Sequence, residues 1–291
     1  LLTIQFKDSS LCEAFYHQLL HSLDTYGGGE NGIVIEKIEN YTNLCINFSV
    51  IHGKEKLNRR KMVATILTNV TIKEFLPIWL NEWICDRFHF EDPYEIEAIT
   101  EHAREIFFNT KHDVPLKTTF VSWQRDMFSL YDQFIKEAMR FSFDSFVRFR
   151  LRKLKYRLVE VVEKAIDEYK LEHDYQVMIN TCRDYLKNHS PRIHTIHLYL
   201  NQEINMVDQN GQKVPTQQIR RWLTHDLSFE DPLPISQRVI GPLVSIAPKK
   251  LVIYPNVNMH EGLLHTILSI FEERVELQKE QKAKLIPTFL N

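Results

Sequence analysis

The chain has 291 residues, a formal net charge of −2, and hydrophobic and charged fractions of 44% and 25%. It is long enough to bury a core without disulfide or metal staples, and too balanced in charge to bind nucleic acid or a membrane over its whole surface. With only 8 Gly and 11 Pro, it is too poor in chain breakers for extended disorder.

Leu1 to Phe6 reads as a short strand, and Ser9 or Ser10 is placed to cap a helix whose Leu11, Phe15, Leu19 and Leu23 form a stripe at every fourth position. That helix ends near Tyr26. The segment Gly27-Gly28-Gly29-Glu30-Asn31-Gly32 follows, then two strands over Ile33 to Ile38 and Leu44 to Ile51. From Glu55 to about Asn188 the period is helical. Thr71 with Glu74 resembles a capping box, and Pro77 beyond it implies a kink or a later start. Asp92-Pro93 marks a new helix start toward Phe108, residues 112–119 a loop around Pro115, and Ser122 a helix to about Phe141.

Beyond Pro191 the period falls to two. Ile196, Leu198 and Leu200 alternate with His197 and Tyr199, and Asp208-Gln209-Asn210-Gly211 predicts a type I′ hairpin turn toward Gln212 to Val214, giving a small antiparallel meander. Thr216 opens a helix to about Thr224, and Pro232 or Ser236 another that ends before Pro248. Leu251 to Tyr254 is a buried-type strand, Met259 to Phe271 a helix and Arg274 to Leu277 a last strand. The expected class is α+β, predominantly helical. A small α/β lobe (residues 1–52), a helical region (53–190), a mixed strand and helix lobe (191–278) and a tail (279–291) make up the chain.

Motifs that usually carry chemistry do not hold up. Residues 27–32 match GxGxxG literally, but a dinucleotide site needs strand, glycines and helix in that order, and here a helix precedes and a strand follows. A helix-ending turn with Gly27 as its left-handed cap is the better account. His17 and His21 share a helical face but lack the glutamate of HExxH, Gln18 standing in its place, and have no third ligand. His194 and His197 differ by three on a strand and point to opposite faces. Cys12, Cys45, Cys85 and Cys182 form no CxxC pair and read as structural thiols of a reducing compartment. The sequence carries no nucleophile signature, P-loop, metal set or cofactor motif, and no catalytic residue is expected.

Two absences concern membranes. The densest apolar run, around Phe75 to Ile84, is broken by Pro77, Asn81 and Glu82, so no membrane span is expected. Leu1 to Phe6 is apolar, but Lys7 and Asp8 follow at once, which argues against a signal peptide and for the cytoplasm.

The stretch Phe141 to Lys170 stands apart, and its pattern predicts a single helix starting near Ser142 or Asp144. Val147, Leu151, Leu154, Leu158, Val161 and Ala165 recur in alternating steps of four and three, a stripe for packing on a core. Arg148, Arg150, Arg152, Lys153, Lys155 and Arg157 project mostly away from it, with Phe149 and Tyr156 interleaved. Glu160, Glu163, Asp167, Glu168, Glu172 and Asp174 come after. That order opposes the helix macrodipole, which favours acids at the start and bases at the end. Either acidic residues on a neighbouring helix, such as Glu95 to Glu105, neutralise the block, or Arg148, Phe149, Arg150, Arg152, Lys153, Lys155, Tyr156 and Arg157 form a binding face for phosphate, anionic lipid or an acidic protein.

The blocks FVRFRLRKLKYRLVEVVEKAIDEY, LEHDYQVMINTCRDYL, IHTIHLYL, DQNGQKV, PLVSIAPKKLVIYPN and LLHTILSIFEERVEL occur in one order from about Phe146 to Leu277. In this they resemble the YtxC-like family of sporulation proteins from endospore-forming Firmicutes. The resemblance implies a cytoplasmic protein of endospore formation with no assigned catalytic residues. Some members carry cysteines after the last strand, whereas residues 275–279 here contain none, which removes the basis for a family metal or redox site. The expected role is a noncatalytic interaction with an unidentified protein partner. Binding of nucleic acid or an anionic surface through Arg148 to Arg157 is the alternative, and an enzyme with a dispersed active site the third possibility.

Overall fold

A computed structural model describes residues 1–25, 33–38, 41–47, 54–108, 114–201, 204–215, 217, 221–222, 239–255 and 261–278. The fold is α+β and predominantly helical, with eight α-helices and eight strands among the described residues. It divides into two compact units, Leu1–Lys170 and Leu171–Asn291.

In the first unit, β1 (Leu2–Phe6) lies between β3 (Tyr41–Ile46), antiparallel to it, and β4 (Arg140–Ser142), parallel to it, while β2 (Ile33–Ile38) pairs with β3 at the edge. Alternation places Leu2, Ile4 and Phe6 of β1 on the buried face. Helix α1 (Ser9–Thr25) covers that face with Cys12, Phe15, Leu19 and Leu23. Asp8, and not Ser9 or Ser10, caps it: its carboxylate accepts from the Ser10 amide and hydroxyl, both at 2.8 Å. Those hydrogen bonds hold the Asp8 carboxyl below its ordinary pKa. The Gly27 to Gly32 segment lies outside the described residues, but the order of helix before it and strand after it is observed.

Helix α2 (Lys54–Glu82) runs through both Thr71 and Pro77. Thr71 is therefore not a cap. Its hydroxyl donates back to the Leu67 carbonyl at 2.7 Å and shares a second hydrogen bond with the Tyr131 hydroxyl, also at 2.7 Å, both groups fully buried. Burial drives the Tyr131 pKa up. The stretch Arg59–Arg87 is long and apolar enough to cross a bilayer, contrary to the expectation from the Phe75 to Ile84 run, but more than half of its most apolar window is buried. Val63, Leu67, Val70, Leu76, Leu80 and Ile84 belong to the protein core.

After Glu82 the backbone widens into a π-helical turn over Trp83–Arg87, closed by the Phe88 amide on the Trp83 carbonyl, and His89 takes a left-handed φ of 60°. Helix α3 (Pro93–Phe107) starts as expected, Asp92 accepting from the amides of Tyr94 and Glu95. Helix α4 (Phe120–Glu137) begins at a Thr119 cap and ends earlier than predicted, since β4 forms where a helix to Phe141 was expected. The open edge of β1 supplies the partner that makes Arg140–Ser142 a strand.

In the second unit, β5 (Thr195–Leu200) pairs antiparallel with β6 (Ile204–Asp208) and parallel with β7 (Lys250–Pro255), which pairs parallel with β8 (Val275–Leu277). The expected antiparallel meander is thus one part of a mixed sheet. The turn after β6 is also different in kind: the Gly211 amide bonds the Asp208 carbonyl, and Gly211 alone is left-handed (φ 77°), so this is a three-residue loop ending in a left-handed glycine and not a type I′ turn. One sheet face, carrying Ile196, Leu198, Leu200, Leu251 and Ile253, packs with Cys182, Leu243, Ile267 and Phe271. These last come from α6 (Arg152–Asn188), α7 (Gly241–Ile246) and α8 (Glu261–Phe271); a 3₁₀ turn, Glu272–Arg274, leads from α8 into β8. On the other face Tyr199 and Tyr254 stack at 4.5 Å, and the Tyr254 hydroxyl lies 3.1 Å from Nδ1 of His197. His194 instead meets Thr195.

Helix α6 (Arg152–Asn188) contributes Leu154 to Ile166 to the first core and Met178 to Leu186 to the second. All four cysteines are free thiols, and burial pushes Cys182 up to about 12.

Candidate binding groove

The stripe of Val147, Leu151, Leu154, Leu158, Val161 and Ala165 is buried throughout. The single helix expected over it is not observed. Helix α5 (Phe143–Arg150) ends at Leu151, whose φ of −89° and ψ of 0° interrupt the helical path, and α6 starts at Arg152. No glycine or proline marks the break. It is held from outside: Leu151 is fully buried, the Trp123 indole donates to the Leu154 carbonyl, and the Trp83 indole donates to the Lys155 carbonyl, each at 3.0 Å. At its other end α5 is tied to the sheet, the Asp144 carboxylate accepting from the Lys7 amide at 3.0 Å.

The break changes the charge argument. Arg148 and Arg150 lie in the last turn of α5, where the helix dipole favours cations. Only Arg152 and its neighbours oppose a dipole, since they open α6 with no acid in its first turn. Leu151, preceding them, has no polar side chain to accept from the free amides.

Between the C-terminal end of α2, the π-turn, α5 and the start of α6 lies an open groove of about 1400 Å³. Phe75, Ile78, Trp79, Trp83 and Val147 give it apolar walls. Phe149 and Tyr156 stand at its margin, 69% and 59% exposed, and Ile78 is 50% exposed. Five cations line it, Arg148, Arg152, Lys153, Lys155 and Arg157, against two carboxylates, Glu82 and Asp144.

The pairing of these charges is uneven. Lys155 is bound to Glu82 and also lies over the Trp83 ring; Arg157 is bound to Asp126. The acids that neutralise part of the block are therefore on α2 and α4, not in the Glu95 to Glu105 segment of α3. Arg148, Arg152 and Lys153 make no ion pair among the described residues; Arg148 lies over the adjacent Phe149 ring, 5.6 Å from its centroid. Of the eight residues expected to form a binding face, seven line the groove. Arg150 does not: it lies over Phe134, 5.7 Å from the ring centroid.

The wall supplied by α2 and the π-turn was not anticipated as part of a site. Its signal in the sequence was the apolar Phe75 to Ile84 run, whose Ile78 is too exposed for a core role. A π-helical turn followed by a left-handed non-glycine residue is a departure from regular helix of the kind that often accompanies functional surfaces.

The profile of the YtxC-like family matches residues 61–276, which include every residue lining the groove, and the chain belongs to that family. An uncharacterised protein of Bacillus subtilis strain 168, YtxC, is 28% identical over 281 residues, covering 95% of this chain and 94% of that relative. No solved structure matches the chain.

Proposed function

We propose that this protein acts in the cytoplasm during endospore formation as a noncatalytic binding protein, and that the groove between α2, α5 and α6 receives a protein partner. The observation that carries the reading is an apolar groove open to solvent and edged by three cations that make no ion pair among the described residues. Burying exposed apolar surface is the main driving force of protein association, and exposed aromatics beside arginines are typical of interface centres. The two carboxylates at the groove are engaged, Glu82 with Lys155 and Asp144 with the Lys7 amide, which favours binding over acid–base chemistry. Family membership, a relative in a spore-forming bacterium and four free thiols support the process and the compartment.

A photo-crosslinking amino acid in place of Phe149, in a spore-forming host, tests this reading. A discrete protein adduct during sporulation is expected, and none from the same group in place of the exposed Tyr94 on α3. Absence of adducts from position 149, or adducts with nucleic acid alone, overturns it. The latter result would favour the second reading, a nucleic-acid or anionic surface contact, which the unpaired cations with Phe149 and Tyr156 also support and which requires binding that weakens steeply with salt.

A further inference from the structure

We infer that the occupant of the groove is an acidic amphipathic segment of a partner protein, its apolar side seated on the exposed Ile78, Phe149 and Tyr156 and its carboxylates on Arg148, Arg152 and Lys153. This inference rests on the binding reading above and adds the chemistry of the partner.

Size comes first. Small-molecule pockets run to about 300–1,000 Å³ and enclose their ligand. This groove is larger, about 1400 Å³, and open to solvent, with room for a stretch of chain. Helices commonly bind in such grooves through apolar residues spaced at three and four.

Charge then selects among possible chains. The groove's other two cations are already compensated by Glu82 and Asp126, so a ligand meets only Arg148, Arg152 and Lys153. Arg152 and Lys153 also stand at the start of α6, the end at which a helix dipole favours negative charge, and no acid lies in its first turn. A basic partner would add like charge to this edge. An uncharged one would leave the three cations without a compensating partner where it covers them, a cost set against the apolar contact. An acidic partner supplies the missing carboxylates.

The apolar walls argue against a phosphate backbone. A nucleic-acid site places its cations along a track, with bases stacked on aromatic faces. Here the wall rings are recessed, Trp79 being buried and Phe75 and Trp83 partly buried, and one exposed ring, Phe149, already carries the Arg148 guanidinium. Further along α6, Glu163, Asp167 and Glu168 turn the surface acidic and would repel a continuing polyanion.

The test uses the full chain and labelled helical peptides of about four turns. One peptide carries leucines at helical spacing flanked by glutamates; a second replaces the glutamates with lysines, and a third the leucines with serines. Fluorescence anisotropy at about 0.15 M salt is expected to show micromolar binding of the glutamate–leucine peptide, with binding about tenfold or more weaker for each of the other two. The R148E/R152E/K153E variant is expected to reverse the preference and bind the lysine peptide. That gain requires a folded protein. Ile78→Ser is expected to weaken the glutamate–leucine peptide about three- to tenfold while leaving its preference over the lysine peptide intact.

Equal binding of the acidic and basic peptides, no binding of either, or tighter binding of an oligothymidylate than of the acidic peptide overturns the inference. So does a concentration-dependent dimer that is lost in Ile78→Ser, since the occupant would then be a second copy. A protein crosslink at position 149 without acidic-peptide binding removes this inference and leaves the interaction reading standing. Loss of both removes both.

Discussion

Three arginines of the second unit and three cations at the groove of the first are used in opposite ways. In the second unit Arg274 donates to the carbonyls of Leu186 (2.9 Å) and Pro248 (3.2 Å), Arg192 to those of Ser245 and Trp222, and Arg183 to that of Ser269 while also pairing with Glu272. Each guanidinium there joins two segments of backbone or side chain and is consumed by the fold. In the first unit, at the groove, Arg148, Arg152 and Lys153 make no ion pair among the described residues, and the work of fixing α6 is done by two indoles and by buried aliphatic groups. Cationic density in the sequence is therefore a poor guide to a binding surface. What distinguishes a binding cation is that no carbonyl or carboxylate of its own chain already holds it.

This contrast can be broken by substitutions read as unfolding free energies of the full chain. Trp123→Ala should cost the most, about 3–5 kcal/mol, because the side chain is fully buried, packs against Trp79 and Phe107, and braces α6 through Leu154. A cost near zero in urea unfolding would show that the aromatic braces do not hold the groove wall. Arg274→Ala should cost about 1.5–3 kcal/mol, the range for hydrogen bonds made by a charged group, and Arg274→Lys should not restore it, since an ammonium lacks the fork that spans two carbonyls. Replacing Arg148, Arg152 and Lys153 one at a time with Ala should change stability by no more than about 0.5 kcal/mol each. If any of the three costs as much as Arg274→Ala, the distinction between structural and available cations fails at that residue.

Much of the architecture was legible from periodicity. The strand Leu2–Phe6, the alternation of Ile196, Leu198 and Leu200 and the buried stripe from Val147 to Ala165 are each found where the spacing of apolar groups put them, and the Asp92 cap where the Asp-Pro pair put it. The YtxC-like family was legible too, because it is carried by an ordered series of local blocks. What periodicity misjudged were places where a long-range partner overrides local preference. Residues 140–142 are a strand only because β1 offers an edge, and Thr71 is a core residue because Tyr131 lies opposite it, 60 positions away. The helix break at Leu151 has no local breaker to announce it.

For the candidate site the division is sharper. The sequence by itself determined the density of cations between Arg148 and Arg157, the exposed positions of Phe149 and Tyr156 relative to the apolar stripe, and the absence of familiar catalytic spacing, all of which follow from side-chain chemistry and helical geometry. Only the tertiary structure decided which cations are spent on Glu82 and Asp126, that Arg150 lies over Phe134 outside the groove, and that α2 and the π-turn form the opposite wall. The physical reason is that ion pairing and groove formation depend on atoms close in space but some 30 to 70 residues apart in the chain, and a periodic pattern reports only the face a residue occupies, not what meets it there.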